Sequence, residues 1–355
     1  MSPTAQALLD KNTRPGELYI PLKEGSLICT ACGHRCELRP DQRGVCKVRY
    51  NHHGVLRVPF NYAAGVQNDP IEKKPFFHVL PGSQAMSFGM LGCDFHCGYC
   101  QNWMTSQALR DDASTLRFDA ISAQGICDLA EQQGSKIVVS TYNEPLITAE
   151  WAVEVFQEAR SRGLVTGFVS NGHGTPEVLE YVRPWLDLFK IDLKTFDEKQ
   201  YLKLGGNRDK VLETIRQVYA MGFWMEIVTL VVPGYNDSDE ELTRMAEFIA
   251  SVSTGIPWHV TAFRPVYKMA NRVSTSIDTL IRAREIGMRA GIKFVYSGNR
   301  PGEVGDTEDT NCPKCGKILI DRYGYQVLTN FIENGACPDC HEPIPGKWTV
   351  SSKNF

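Results

Sequence analysis

The chain has 355 residues, 43% of them hydrophobic and 22% charged, and a formal net charge of -3. That length suits one large globular domain with small appendages, and the charge excludes the overall basic field that gathers nucleic acid or an acidic membrane surface. The opening MSPTAQALLDKNTRPGE has no apolar core, and the longest apolar run, Ile227 to Pro233, is too short to span a bilayer, so neither a signal peptide nor a membrane segment is expected and a cytoplasmic location is.

In chain order, an N-terminal extension (1–24) leads into a glycine-containing module (25–60) with Cys29, Cys32, Cys36 and Cys46 and little helical periodicity. The core (61–298) alternates apolar or β-branched runs with amphipathic windows. Strands are predicted at 85–91, 136–140, 165–169, 187–192, 224–231, 258–263 and 292–296, and helices near 119–133, 148–162, 175–184, 208–221, 238–252 and 276–290. Thr175-Pro176 gives an N-cap followed by proline at the first helical position, and Ser238 with Glu241 reads as a capping box. Regular βα alternation predicts an α/β fold with a parallel sheet and right-handed crossovers, open or curled, with too few units for a closed eight-fold barrel. A polar linker (299–311) then reaches a last module (312–355) pinned by Cys312, Cys315, Cys337 and Cys340.

Eleven of the twelve cysteines thus fall into three tight groups, which in a chain without a signal peptide reads as metal ligation in a reducing compartment rather than disulfides. The twelfth, Cys127, sits in a predicted helix as packing. The C-terminal pair of C-x2-C knuckles suits the closed tetrahedral site of a zinc ribbon, and metal ligation would supply much of the folding energy of so small a segment. The N-terminal four suit either zinc or an auxiliary [4Fe–4S] cluster, the Cys32-Gly33 knuckle leaning toward zinc. Between them, Cys93-x3-Cys97-x2-Cys100 follows the first strand of the βα array, at the sheet edge where such folds place their sites. Three thiolates suit a cubane cluster with one iron left open, whereas structural zinc wants a fourth ligand, for which His96 is poorly placed.

This triad, with Tyr99 before its last cysteine, resembles the signature of the radical S-adenosylmethionine (SAM) superfamily. The resemblance implies an enzyme with a partial (βα)6 TIM-like barrel, in which the open iron chelates S-adenosyl-L-methionine. One electron then splits the sulfonium, and a 5′-deoxyadenosyl radical abstracts hydrogen from a substrate. It further implies cofactor contacts. Asn143 and Glu144 stand where relatives carry Gly-Gly-Glu, Asp192 and Lys194 match the Asp-x-Lys of pyruvate formate-lyase activating enzymes, and Asn171 lies in a turn like the ribose-contacting one. His173 and Arg264, expected at the same mouth, either bind substrate or cap local structure. The order CGHRC, RGVC, GCDFHCGYCQNW, STYNEP, VSNGHG, FKIDLK, VVPGYND and a terminal ribbon closely resembles the radical enzyme of the AmmeMemoRadiSam system over residues 29–348. That family implies an electron donor such as flavodoxin or ferredoxin and, as further partners, Memo-like and AMMECR-type proteins. Two other readings remain at this point: an activase that installs a glycyl radical on a partner enzyme, and a non-enzymatic zinc protein binding nucleic acid, against which the lack of a basic run counts.

Overall fold

The computed structural model describes residues 5–111 and 117–350, so the first four residues of the expected extension and the last five of the expected tail lie outside it. At its centre is an eight-stranded sheet formed by β1 (Gly65–Pro70), β2 (Gln84–Gly89), β3 (Ile137–Ser140), β4 (Val165–Ser170), β5 (Leu188–Asp192), β6 (Trp224–Val231), β7 (Trp258–Ala262) and β8 (Val295–Gly298). Strands β2 to β8 lie side by side in sequence order, all parallel, as the βα alternation predicts. The antiparallel edge strand β1 is an addition; its half-buried sequence GVQNDP carries no apolar alternation to announce it. Among the described residues β1 and β8 do not pair, so the sheet is open.

Seven helices form the crossovers or extend them: α1 (Ala123–Gln132), α2 (Ala149–Ser161), α3 (Pro176–Val182), α4 (Glu198–Leu204), α5 (Arg208–Ala220), α6 (Asp239–Val252) and α7 (Ile277–Arg289). The short α4, capped by Asp197, is missing from the predicted set because seven residues show too little periodicity. Thr175 caps α3 by accepting from Val178 N at 3.2 Å, as expected. The capping box of α6 is only half formed. Ser238 accepts from Glu241 N at 3.2 Å, but the Glu241 carboxylate turns to Thr195 Oγ1 and Phe196 N.

The sheet has two differently filled faces. Its outer face packs Phe168, Phe189, Ile227, Trp258 and Val260 against the helices. The base of the inner face is sealed by the connection between β1 and β2, whose Ile71, Phe76 and Val79 pack on Ala85, Ile137, Val139 and Leu188. That plug is pinned by a carboxylate. Buried Glu226 accepts from Phe77 N at 3.0 Å, His78 N at 2.9 Å and Trp224 Nε1 at 3.1 Å, and meets His259 Nε2 at 2.7 Å. Burial pushes His78 down to about 4, so its ring is neutral. Because Pro345 O can only accept, Nδ1 carries the proton and donates to it at 2.6 Å, leaving Nε2 to accept from Tyr296 Oη.

Both cysteine modules share this packing. Thr13–Pro15 and Tyr19–Pro21, from the extension, pair with strands of the N-terminal module, and Leu27, Leu38, Leu56 and Val58 join the core that contains Trp151 and Phe156. A buried ion pair locks the module to α2. Arg49 donates to Glu150 Oε2 at 2.6 Å and Oε1 at 2.8 Å, and both side chains are at most 1% exposed. The C-terminal module is a three-stranded antiparallel sheet whose Leu319 and Ile320 pack on Phe77, Phe294 and Tyr296. Truncating one member of a buried ion pair strands the other charge, a loss of about 3–5 kcal/mol. Glu150→Ala is therefore expected to lower the urea midpoint strongly, and an unchanged midpoint would show that the pair does not hold the module.

Candidate active site

The three central thiols lie on the loop that leaves β2 at the C-terminal edge of the sheet. Sterics fix this loop. Gly92 takes φ +89°, and a Cβ there would lie 2.7 Å from Val48 of the N-terminal module. On the other side, Gly206 leaves room for the Phe95 ring, which would stand 2.2 Å from any Cβ, while His96 N donates to Leu204 O at 2.9 Å. The His96 side chain is exposed and its ring packs on Gly205, so it is not turned toward the thiols as a fourth ligand. Phe95 N donates to Cys93 Sγ at 3.4 Å, and Cys100 Sγ lies 3.3 Å from Ser106 Oγ. Burial pushes the thiols up, Cys97 to about 12, so in the absence of metal they stay protonated.

A cavity of about 360 Å³ opens beside the loop on the inner face of the sheet. Cys97, Tyr99 and Cys100 line it together with Asp192 and Lys194. Strand alternation explains the grouping: Lys190, Asp192 and Lys194 are two residues apart and share the inner face, while Phe189 and Ile191 point to the helices. Lys194 Nζ contacts Asp192 Oδ2 at 3.0 Å, and Lys190 contacts the other oxygen. Burial opposes ionisation of Asp192, but Lys190 and then Lys194 pull it down to about 2. Burial likewise opposes the Lys194 ammonium, yet the Asp192 carboxylate holds it above the ordinary lysine range.

Asn143, Glu144 and Asn171 are placed elsewhere. Asn143 Oδ1 accepts from Met90 N at 3.0 Å. Glu144 is 2% exposed, and its oxygens accept from Leu146 N at 3.1 Å, Ser170 Oγ at 2.7 Å and Asn171 N at 2.7 Å. Burial, and next the nearby Asp94, push it up to about 8. Asn171 Nδ2 donates to Asp94 Oδ1 at 2.7 Å, and His173 Nδ1 meets Asp94 Oδ2 at 3.0 Å. None of these residues lines the cavity; they form a buried polar scaffold behind Cys93. His173 therefore does not share a mouth with Arg264, because the buried Asp94 carboxylate draws it beneath the N-terminal module. Cys127 is buried packing in α1, its thiol directed at Val155 O.

The inner face also carries residues the sequence reading did not single out. Lys190 and His259 line the cavity. So does Tyr142, a bulky residue at φ +71° whose hydroxyl lies 3.2 Å from Lys74 Nζ. A second cavity of about 710 Å³ shares Phe77, Gln101, Asn299 and Tyr325 with the first, and its outer wall is Arg264 and the C-terminal hairpin Tyr323–Val327. The period-two pattern of FKIDLK signals Lys190; nothing local announces that a distant hairpin completes the chamber.

Residues 89–246 match the family model described as the radical SAM superfamily. The chain is also 32% identical, over 335 residues, to an uncharacterised protein of Methanocaldococcus jannaschii, covering 93% of this chain and 98% of that one. The chain belongs to the radical SAM superfamily. Among its other relatives is the pyruvate formate-lyase-activating enzyme of Staphylococcus epidermidis, 26% identical over 182 residues, which are 48% of this radical SAM chain and 71% of the relative. A domain of a pyruvate-formate lyase-activating enzyme from Bacteroides vulgatus superposes with a TM-score of 0.41 at 19% identity, over 46% of this chain and 98% of that one. A radical SAM methyltransferase from Sphaerobacter thermophilus superposes with a TM-score of 0.47 at 15% identity, over 62% and 67% of the two chains. Among the described residues, no helix is long and apolar enough to cross a membrane.

The close approach of Gly206 to Phe95 makes a test of the loop. Gly206→Ala is expected to displace the Phe95 ring, overpacking at a cost of about 1–3 kcal/mol, and to lower the iron retained after anaerobic reconstitution. Full iron content and an unchanged thermal midpoint would show that the loop tolerates the shift.

Proposed function

We propose that the chain is a hydrogen-abstracting radical enzyme of the AmmeMemoRadiSam type, with a [4Fe–4S] cluster on Cys93, Cys97 and Cys100 and S-adenosylmethionine in the adjoining cavity. The observation that carries this reading is the shared cavity of Cys97, Cys100, Tyr99, Asp192 and Lys194. The donor set fits a cubane cluster: three buried or half-buried thiols lie on one loop, and His96 turns outward. When bound, this pair supplies one-electron cleavage of the sulfonium and a 5′-deoxyadenosyl radical.

The residues of the chain bind, orient and shield. Lys194, held by Asp192, offers an ammonium to the cofactor carboxylate, and Tyr99, braced edge-on by Tyr235, supplies an aromatic wall. Asn143, Glu144 and Asn171 act as positioning residues, fixing the strand ends behind the cysteine loop. We place the substrate in the larger cavity, with Arg264, Tyr323 and Tyr325 around it. One cavity lined from β4 to β8 needs a concave sheet, which supports the partial barrel. A flavodoxin or ferredoxin as electron donor and Memo-like and AMMECR-type partners belong to the same proposal. For the C-terminal four we propose zinc: Cys312 and Cys340 Sγ stand 3.5 Å apart and Cys315 and Cys337 Sγ 3.6 Å apart, near the edge length of about 3.8 Å for tetrahedral Zn–S bonds of about 2.3 Å.

The activating-enzyme relatives favour a second reading, in which the hydrogen comes from a glycine of a partner enzyme. Electron paramagnetic resonance (EPR) decides between them. A persistent glycyl doublet on a candidate partner, dependent on Cys93, would establish the activase.

Reconstituted protein with dithionite is expected to release 5′-deoxyadenosine, and alanine at Cys93, Cys97 or Cys100 to abolish it; full turnover in any of the three overturns the assignment. Lys194→Ala should keep the cluster yet weaken cofactor binding by about 1–3 kcal/mol, with calorimetry as the check and unchanged affinity marking a purely structural lysine. Cys337→Ser should remove the zinc from the C-terminal module while leaving the iron in place, as metal analysis will show.

A further inference from the structure

The two cysteine quartets are built to different dimensions. All four thiols of Cys312, Cys315, Cys337 and Cys340 lie within 4.8 Å of one another, compact enough for a single ion. Cys29, Cys32, Cys36 and Cys46, taken as four, do not gather within that limit, and neither do Cys93, Cys97 and Cys100. In a cubane cluster each thiolate binds a different iron, so the sulfurs stand further apart than around one metal ion. By spacing, the N-terminal quartet goes with the central triad and not with the ribbon.

Its surroundings supply hydrogen bonds to sulfur and room between the thiols. Arg49 Nε donates to Cys29 Sγ at 3.2 Å, and Val45 N to Cys36 Sγ at 3.5 Å. Gly44 stands between two ligands, a Cβ there lying 3.6 Å from Cys36 Sγ and 3.7 Å from Cys46 Sγ. Hydrogen bonds to sulfur and burial are the means by which proteins set cluster potentials.

The quartet also reaches the triad. Cys32 Sγ, a carboxylate oxygen of Asp94 and a ring nitrogen of His173 all lie within 4.8 Å of one another. Asp94 follows Cys93 directly, with its Oδ1 3.8 Å from Cys93 Sγ. The Asp94 carboxylate therefore lies close to both sulfurs. The contact is reinforced on both sides: Gly33 N donates to His173 O at 2.8 Å, and His34 Nε2 lies 3.3 Å from Asp94 O. His173 Nε2 is buried without a partner and packs so closely on Gly33 that a Cβ there would sit 2.6 Å from it. His173 thus keeps an unpartnered ring nitrogen against Gly33, the residue after Cys32.

We propose that Cys29, Cys32, Cys36 and Cys46 hold a second [4Fe–4S] cluster, which passes electrons to the cluster of Cys93, Cys97 and Cys100 across the Cys32–Asp94–Cys93 contact. An external one-electron donor of the flavodoxin or ferredoxin class takes the second cluster from its 2+ to its 1+ state. The same electron then returns it to 2+ and takes the central cluster from 2+ to 1+, with no bond made or broken. The relay rests on the radical SAM reading for its acceptor; the identity of the second cluster does not.

The test begins with the full chain carrying C93A, C97A and C100A, reconstituted anaerobically with iron and sulfide. Equal iron and acid-labile sulfide near one [4Fe–4S] per chain, with a cluster EPR signal after reduction, is the expected result whether or not the wild type forms 5′-deoxyadenosine. Zinc at the quartet with no labile sulfide overturns the cluster. For the relay, the reduced wild type should show a signal broadened by spin coupling, absent from the triad variant and from Cys36→Ala, whose ligand is the least buried of the four. Reduction of the central cluster by flavodoxin should slow at least ten-fold in Cys36→Ala, while excess dithionite still reduces it. Two uncoupled signals, or an unchanged flavodoxin rate in a Cys36→Ala protein shown to lack the second cluster, overturn the relay.

Discussion

The arrangement of the site hangs on one carboxylate with no exposure, Asp94. It follows the first cysteine of the triad, accepts from Asn171 at the end of β4, and meets His173 two residues further on. Burial is the largest influence and works against its charge, but the hydrogen bond and charge of His173, with His34 and the Asn171 amide, together hold Asp94 below the usual carboxylate range. An unpaired carboxylate at this depth would be too costly to keep, so the turn after β4 and the cysteine loop after β2 are fixed relative to each other. Glu144 extends the scaffold by binding the same turn through Ser170 and Asn171. The N-terminal module docks on its far side, through Gly33 and His34.

A second constraint comes from polarity on the inner face of the sheet. A parallel sheet covered on both faces is ordinarily apolar on both. Here β5, β6 and β7 turn Lys190, Asp192, Glu226 and His259 inward, and each finds a charged or polar partner. The connection between β1 and β2 seals the base of this face, and the C-terminal hairpin walls the side that the open sheet leaves uncovered. Arg322 ties the two together, donating to Phe77 O at 2.7 Å and lying over the Phe77 ring. The β1–β2 connection and the C-terminal module thus complete a chamber whose base and mouth the βα array does not close.

The strands of the core were legible because each is a short β-branched or apolar run bounded by polar turns, and their order follows from right-handed crossovers. The cysteine groups were legible from spacing alone. The pairing of β1 was not, since an edge strand of half-exposed polar residues has no periodic signal. Side-chain direction was the harder problem. Glu144 and Lys194 both end strands of the same array, yet Lys194 sits on the alternation that faces the cavity, whereas Glu144 caps the turn beginning at Pro145 and is spent on backbone N–H groups. Motif position gives the strand end; only the register of the last residues decides which side chain the cavity receives. The capping box shows the same limit, because Glu241 had two sets of backbone donors within reach and took those of Phe196 rather than its own cap.

The charge balance of the inner face bears on what it can hold. Asp192 is shared by Lys194 and Lys190, and Glu226 stands beside Lys190 on the next strand. Burial is the largest influence on Lys190 and draws it below the ordinary lysine range, even with Asp192 opposing. A buried ammonium so disfavoured gains more from an incoming anion than one in water does, because the desolvation is already spent. Binding of a carboxylate-bearing ligand would raise Lys190 again, so it carries proton uptake with it wherever the lysine is partly deprotonated. Were a carboxylate-bearing ligand to bind in the cavity proposed for the cofactor, that attraction would lie beside Cys97 and Cys100.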